Sequence, residues 1–240
     1  IPTARIWGAD LTDGTVALAR RNAERLGVQD RVSIRQGDLF DALAGEGLAG
    51  KVDMIVCNPP YISTSRLEGE SAHLLEAEPR EAFDGVDTVI NLAGEPINQR
   101  WNDDVRERIA RSRIKATKNL VAKIAALDER PKTLISGSAI GYYGDRGDEL
   151  LYEDAEPGDD FLADVVVRWE EAARTAEDHG LRVVTIRSGH VLDPRGGLLK
   201  ELLLPFKMGV GGPIAGGSQY MSWIHRDDEV GILLWATENE

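Results

Sequence analysis

A single cysteine, Cys57, is all the thiol chemistry the chain has. One thiol cannot close an internal disulfide, which fits a reducing, cytoplasmic compartment. Cys57 sits in an apolar run with Met54, Ile55 and Val56 and reads as a small buried hydrophobe. Long hydrophobic runs are also missing, none approaching the roughly 20 residues of a membrane-spanning helix. Positive charge is short: 28 Lys and Arg stand against 41 Asp and Glu, a formal charge of -13. Such a surface repels a phosphate backbone, which excludes duplex nucleic acid as the expected partner. No metal-ligand set is identified, no initiator methionine precedes Ile1, and no secretory pattern comes after it. The last residues, Glu238-Asn239-Glu240, resemble the end of a helix, so the chain is read as a fragment.

What is present is the ordinary make-up of a soluble globular protein, with 42% hydrophobic and 29% charged residues in 240. Ala4 to Ala9 reads as a strand, and Asp13 to Leu26 carries apolar residues at helical spacing (Val16, Ala19, Ala23, Leu26) before Gly27. Arg31 to Arg35 is the second strand. Val52 to Cys57 is the third, and it runs into Asn58-Pro59-Pro60-Tyr61, where two prolines forbid further ladder pairing. After a polar, irregular stretch over 62–85 the pattern restarts. A strand from Val86 ends in a loop at Ala93-Gly94, and a helix comes next, from about Asp103 to Leu127. Thr133 to Ser136 and Arg182 to Arg187 are further strands, with a helix over Phe161 to Asp178 between them. A later apolar helix contains Leu202-Leu203-Leu204, and the glycines from Gly209 to Gly217 read either as a substrate-side loop or as plain loop. Strands alternating with helices predict an α/β fold, a Rossmann-like, doubly wound and mainly parallel sheet.

One near-repetition stands out. Val52-Asp53-Met54-Ile55-Val56-Cys57-Asn58 and Val86-Asp87-Thr88-Val89-Ile90-Asn91 each bring a Val-Asp pair into an apolar strand that ends at a polar turn. Beyond the turn the two copies have nothing in common. They look like one sheet position supplied twice, as if two partial Rossmann-like pieces met near Asp84-Gly85.

Residues 1–84 carry Gly8-Ala9-Asp10, Ala19-Arg20-Arg21-Asn22-Ala23, Gln36-Gly37-Asp38-Leu39-Phe40, Asn58-Pro59-Pro60-Tyr61-Ile62 and Glu78-Pro79-Arg80-Glu81-Ala82. In this combination the segment resembles the release-factor glutamine methyltransferase family. The resemblance implies S-adenosylmethionine as cofactor, with Asp10 on its ribose and Asp38 and Leu39 bordering the adenine. It also implies a peptide chain release factor as partner. An amide nitrogen is a poor nucleophile because its lone pair is delocalised, so its two N–H groups must be held by acceptors. The Asn58 side-chain oxygen and the Pro59 carbonyl supply them, with Tyr61 packing on the planar amide. The family's glycine-rich first strand and loop have no counterpart here.

Residues 85–240 carry Val89-Ile90-Asn91-Leu92-Ala93-Gly94-Glu95-Pro96-Ile97, Ser112-Arg113-Ile114, Ile135-Ser136-Gly137-Ser138-Ala139-Ile140-Gly141-Tyr142-Tyr143-Gly144-Asp145, Gly158-Asp159-Asp160-Phe161-Leu162-Ala163 and Met221-Ser222-Trp223-Ile224-His225. This segment resembles the epimerase-like atypical extended short-chain dehydrogenases/reductases. The resemblance implies NAD(P) as cofactor and a small sugar or carbonyl substrate. Ala93 and Gly94 would let the dinucleotide approach closely, and Ser138 would be the catalytic serine. The family's Tyr-x-x-x-Lys falls at Leu162 and Val166, so the phenol acid and its lysine are absent, as in other epimerase-like relatives. His225 reads either as a substrate contact or as a packed structural residue.

Both pieces lack the strand, tight glycine turn and helix that hold a pyrophosphate or a methionine moiety. Weak or absent binding of either cofactor is therefore expected of the isolated chain.

Overall fold

In the computed structural model the described residues are 4–10, 13–37, 41–48, 51–57, 86–213 and 216–239. The first elements are β1 (Ile6–Asp10), α1 (Asp13–Arg25), β2 (Val32–Gln36) and β3 (Met54–Cys57). They are followed by β4 (Thr88–Asn91), α2 (Asp103–Ala125), β5 (Thr133–Ala139), α3 (Phe161–Arg174) and β6 (Arg182–Ser188). The last are β7 (His190–Leu192), α4 (Gly197–Lys207), β8 (Trp223–His225) and α5 (Arg226–Glu238). No helix among the described residues is long and apolar enough to cross a membrane.

Among the described residues the strands form three parallel sheets. The main one has the order β3-β4-β5-β6, while β1-β2 and β7-β8 form two-stranded sheets. Strand β3 pairs with β4 in the register Met54↔Thr88, Ile55↔Val89, Val56↔Ile90 and Cys57↔Asn91. The two Val-Asp pairs therefore lead into neighbouring strands and not into one position supplied twice. The likeness persists because each pair leads into a strand of the same parallel sheet.

Both faces of the main sheet are covered, and alternation along the strands divides the core. Val89 and Leu134 point to one side, where they meet Leu120, Val121 and Ile124 of α2 and Ala173 of α3. Ile90 and Ile135 point to the other and meet Leu233 and Ala236 of α5. A period of two in the strands thus makes a doubly wound, three-layer arrangement.

Helix starts obey local chemistry. The Asn102 side chain accepts from the Val105 N–H at 2.8 Å, and Asp103 and Asp104 place negative charge at the α2 N-terminus. The Asp160 carboxylate caps α3 through the Ala163 N–H at 2.9 Å. Strands β7 and β8 are three residues each, too short for sequence periodicity to register.

Candidate functional site

In an open α/β sheet, ligands sit at the carboxyl ends of the strands. At the end of β4, Asn91 is buried, its Nδ2 donating to Thr117 Oγ1 at 3.0 Å and its Oδ1 accepting from the Ala93 N–H at 3.2 Å. Thr117 Oγ1 also accepts from Trp169 Nε1 at 3.0 Å. One hydroxyl of α2 therefore ties β4 to α3 and fixes where the chain leaves the strand. Just beyond, a Cβ on Gly94 would lie 2.9 Å from Arg113 Cζ. The guanidinium rests against that glycine, so a larger residue there would have to displace the flexible end of Arg113. The same guanidinium stacks over the Trp169 ring, 5.3 Å from its centroid. The Glu95 N–H donates to Ser112 Oγ at 2.8 Å. Ala93 and Gly94 thus stand at a strand end, backed by the Ser112-Arg113 pair of α2.

At the end of β5, Ser138 is the register partner of Arg187 on β6, so both side chains leave the sheet on one face. On that face α3 offers Glu170. The buried Ser138 hydroxyl donates to Glu170 Oε1 at 2.5 Å. Arg187 binds the same carboxylate in a fork, Nε to Oε1 at 2.8 Å and Nη2 to Oε2 at 2.9 Å. Arg174 lies 3.8 Å from it. Glu170 is 4% exposed. Burial alone would raise its pKa, but the hydrogen bonds from Arg187 and Ser138 and the charges of Arg187 and Arg174 hold the carboxyl below its usual range. Arg187 is in turn held more firmly protonated by Glu170.

An ionised carboxylate only accepts hydrogen bonds, so Ser138 must be the donor. Its single proton is engaged in the hydrogen bond to Glu170, which leaves its lone pairs as acceptors.

Leu162 and Val166 both face Gly141 in the turn after β5. A Cβ there would lie 3.5 Å from Leu162 Cβ and 3.9 Å from Val166 Cγ2. The two positions where the resemblance places a phenol and a lysine are thus packed against that turn. His225 serves as a helix cap: its Nδ1 accepts from the Asp227 N–H at 3.2 Å at the start of α5. Asp10 ends β1 opposite Gln36. Asp38, Leu39, Asn58, Pro59 and Tyr61 lie outside the described residues.

Sequence reading missed Glu170 and Arg187. A signal was there: Leu162, Val166 and Glu170 succeed one another at a spacing of four, so a carboxylate continues an apolar row of α3. A charged group in such a row calls for a buried partner, and Arg187, ending the apolar strand Val183-Val184-Thr185-Ile186, supplies it.

Residues 62–240 match the family model described as NAD dependent epimerase/dehydratase family, and residues 2–83 match one described as RMKL-like, methyltransferase domain. An epimerase family protein of Mycobacterium bovis is 43% identical over 162 residues, covering 67% of this chain and 53% of the relative. The human epimerase family protein SDR39U1 (isoform 2), solved with NADPH, superposes with a TM-score of 0.63 at 30% identity over 98% of this chain and 70% of that one. The nucleoside-diphosphate sugar epimerase from Corynebacterium glutamicum gives 0.63 at 32% identity, over 98% of this chain and 44% of its own. The chain spans about half the length of the curated relatives it matches.

Proposed function

The chain belongs to the NAD dependent epimerase/dehydratase family, and from that premise we propose that residues 85–240 are the part of an NAD(P)-linked epimerase or reductase that faces a small sugar or carbonyl substrate. Residues 1–84 are a methyltransferase-like piece fused in front of it. The observation that carries the reading is the Ser138–Glu170–Arg187 cluster at the carboxyl ends of β5 and β6, where the fold presents ligands. In this reading Ser138 meets a substrate oxygen, and Ala93 and Gly94 border the dinucleotide.

The described residues fit the cofactor only in part. Small side chains at Ala93-Gly94 suit close approach. Among the described residues, however, β4 does not turn directly into a helix: α2 begins only at Asp103, leaving no helix N-terminus at Gly94 to meet a pyrophosphate. The isolated chain is therefore proposed to bind NAD(P)H and S-adenosylmethionine weakly or not at all, and its activity is correspondingly low. Titrating the chain into NADPH while following nicotinamide fluorescence tests this: a flat response is expected, and a saturating change at micromolar protein would refute it.

A second reading draws on the match over residues 2–83. With a cofactor loop supplied, that piece is a methyltransferase acting on the glutamine of a peptide chain release factor through Asn58, Pro59 and Tyr61, with Asp10, Asp38 and Leu39 at the cofactor. Transfer of radioactive methyl groups to a release factor, abolished by Asn58→Ala, would support it. No labelling even with the cofactor loop supplied would leave only the first reading.

A further inference from the structure

We propose that Arg187 is a positioning residue that fixes the Tyr143 phenol as a hydrogen-bond donor at the carboxyl end of β5, on the side of the molecule where the acid at Leu162 is missing. The proposal rests on the epimerase-family reading of this site and adds to it a residue that the Tyr-x-x-x-Lys pattern does not contain.

Arg187 makes four separate attachments. Its Nε and Nη2 are locked in the fork with Glu170. Its Nη1 donates to the Tyr143 hydroxyl oxygen at 3.0 Å and to the Glu153 carbonyl at 2.9 Å. Its Cζ lies 3.4 Å from the centroid of the Tyr142 ring, a stacked cation–π contact. One guanidinium thus joins α3, the turn with both tyrosines and the loop beyond it. The planar fork is what makes this possible, since a lysine offers one point charge on a flexible stem.

The direction of each hydrogen bond is set by the chemistry of the groups. Arginine has only donors, so the Tyr143 oxygen must accept from it, and the phenol proton is left for another acceptor. Ser138, by contrast, has given its proton to Glu170. The two ends of the relay are therefore polarised oppositely, an acceptor at Ser138 and a donor at Tyr143, and Glu170 with Arg187 sets both. Such a pair suits a ligand that carries hydroxyl or carbonyl oxygens.

The backbone around Tyr143 is braced for the same geometry. The Gly158 N–H donates to the Tyr142 carbonyl at 2.9 Å, and a Cβ on Gly158 would stand 2.8 Å from both Gly144 Cα and the Tyr143 carbonyl oxygen. Gly144 itself has φ +66. Two glycines therefore close the loop at its neck, and only backbone without side chains fits there. Tyr143 is held from below by this neck and at its tip by Arg187.

The test uses the full chain labelled with 3-fluorotyrosine and observed by fluorine NMR, with no cofactor present. Tyr143→Phe assigns the resonance by its disappearance. In the native chain the Tyr143 signal should be displaced from its position in urea. Glu170→Gln and Arg187→Met should each remove most of that displacement and leave the Tyr220 signal where it was. Arg187→Lys should restore part of it. Glu170 connects to Tyr143 through Arg187, so a response to Glu170→Gln reports the relay and not a lost direct contact. If Arg187→Met does not fold, Glu170→Gln and Arg187→Lys carry the result. A Tyr143 signal unmoved in folded Glu170→Gln, or one that moves only in step with Tyr220, overturns the proposal. Because no cofactor enters the experiment, such a failure leaves the family reading standing, and tight NADPH binding, which would refute the weak-binding reading, leaves this proposal standing.

Discussion

Strands β1 and β2 are joined by a helix, as are β4, β5 and β6; both sets are parallel, and they bury very different interiors. Around β5, Leu134 and Ile135 are 0% exposed, with α2 and α3 over one face and α5 over the other. In the first unit α1 buries Val16 and Ala23, while Ile6, Leu18 and Leu26 stay about half exposed or more. Among the described residues, the same strand–helix alternation yields its dense core where helices cover both faces of the sheet. Helical and strand periods thus specify elements, and the number of faces covered sets their stability.

The largest effect should come from the heart of the main sheet. Leu134→Ala should cost about 4 kcal/mol in urea denaturation, because close-packed neighbours on both sides cannot collapse into the gap. A loss below about 1 kcal/mol would contradict the dense-core half of the comparison.

Next is the buried carboxylate. Glu170→Gln should destabilise by about 3 kcal/mol, since it strips Arg187 of its partner. Its folded pKa lies below the unfolded value, so its contribution is present in full above that value, roughly 4.3 for a glutamate. The contribution is lost as pH falls through the lower folded pKa. Acid titration below about pH 4 should therefore narrow the gap between native chain and variant, and a gap that widens there would contradict the assignment.

Smaller effects sharpen the contrast. Asp160→Ala removes the α3 cap and should cost about 1 kcal/mol. Val16→Ala, under a thin layer that can close around the lost methyls, should cost roughly half a kcal/mol. Amide hydrogen exchange should agree, with β1 and β2 opening well before β5.

Much of this is legible in the sequence. The Rossmann-like α/β class and the helices over Asp103 and Phe161 came from alternation and spacing. Strands β7 and β8 did not, because three residues carry no period. The twin Val-Asp pairs mark two parallel strands, but whether such strands coincide or stand side by side is a tertiary property. Ser138 drew attention through its motif, whereas the direction of its hydrogen bond depends on Glu170, 32 residues away. Long-range polar pairs leave only an isolated charge in an apolar row as their trace.

The isolated chain of this epimerase-family member is proposed to bind NAD(P)H weakly or not at all. Isothermal titration calorimetry of NADPH into the chain measures that directly. A dissociation constant weaker than about 0.1 mM, or no saturable heat, is the expected result. Binding at about 1 μM or tighter, worth roughly 8 kcal/mol, would contradict it.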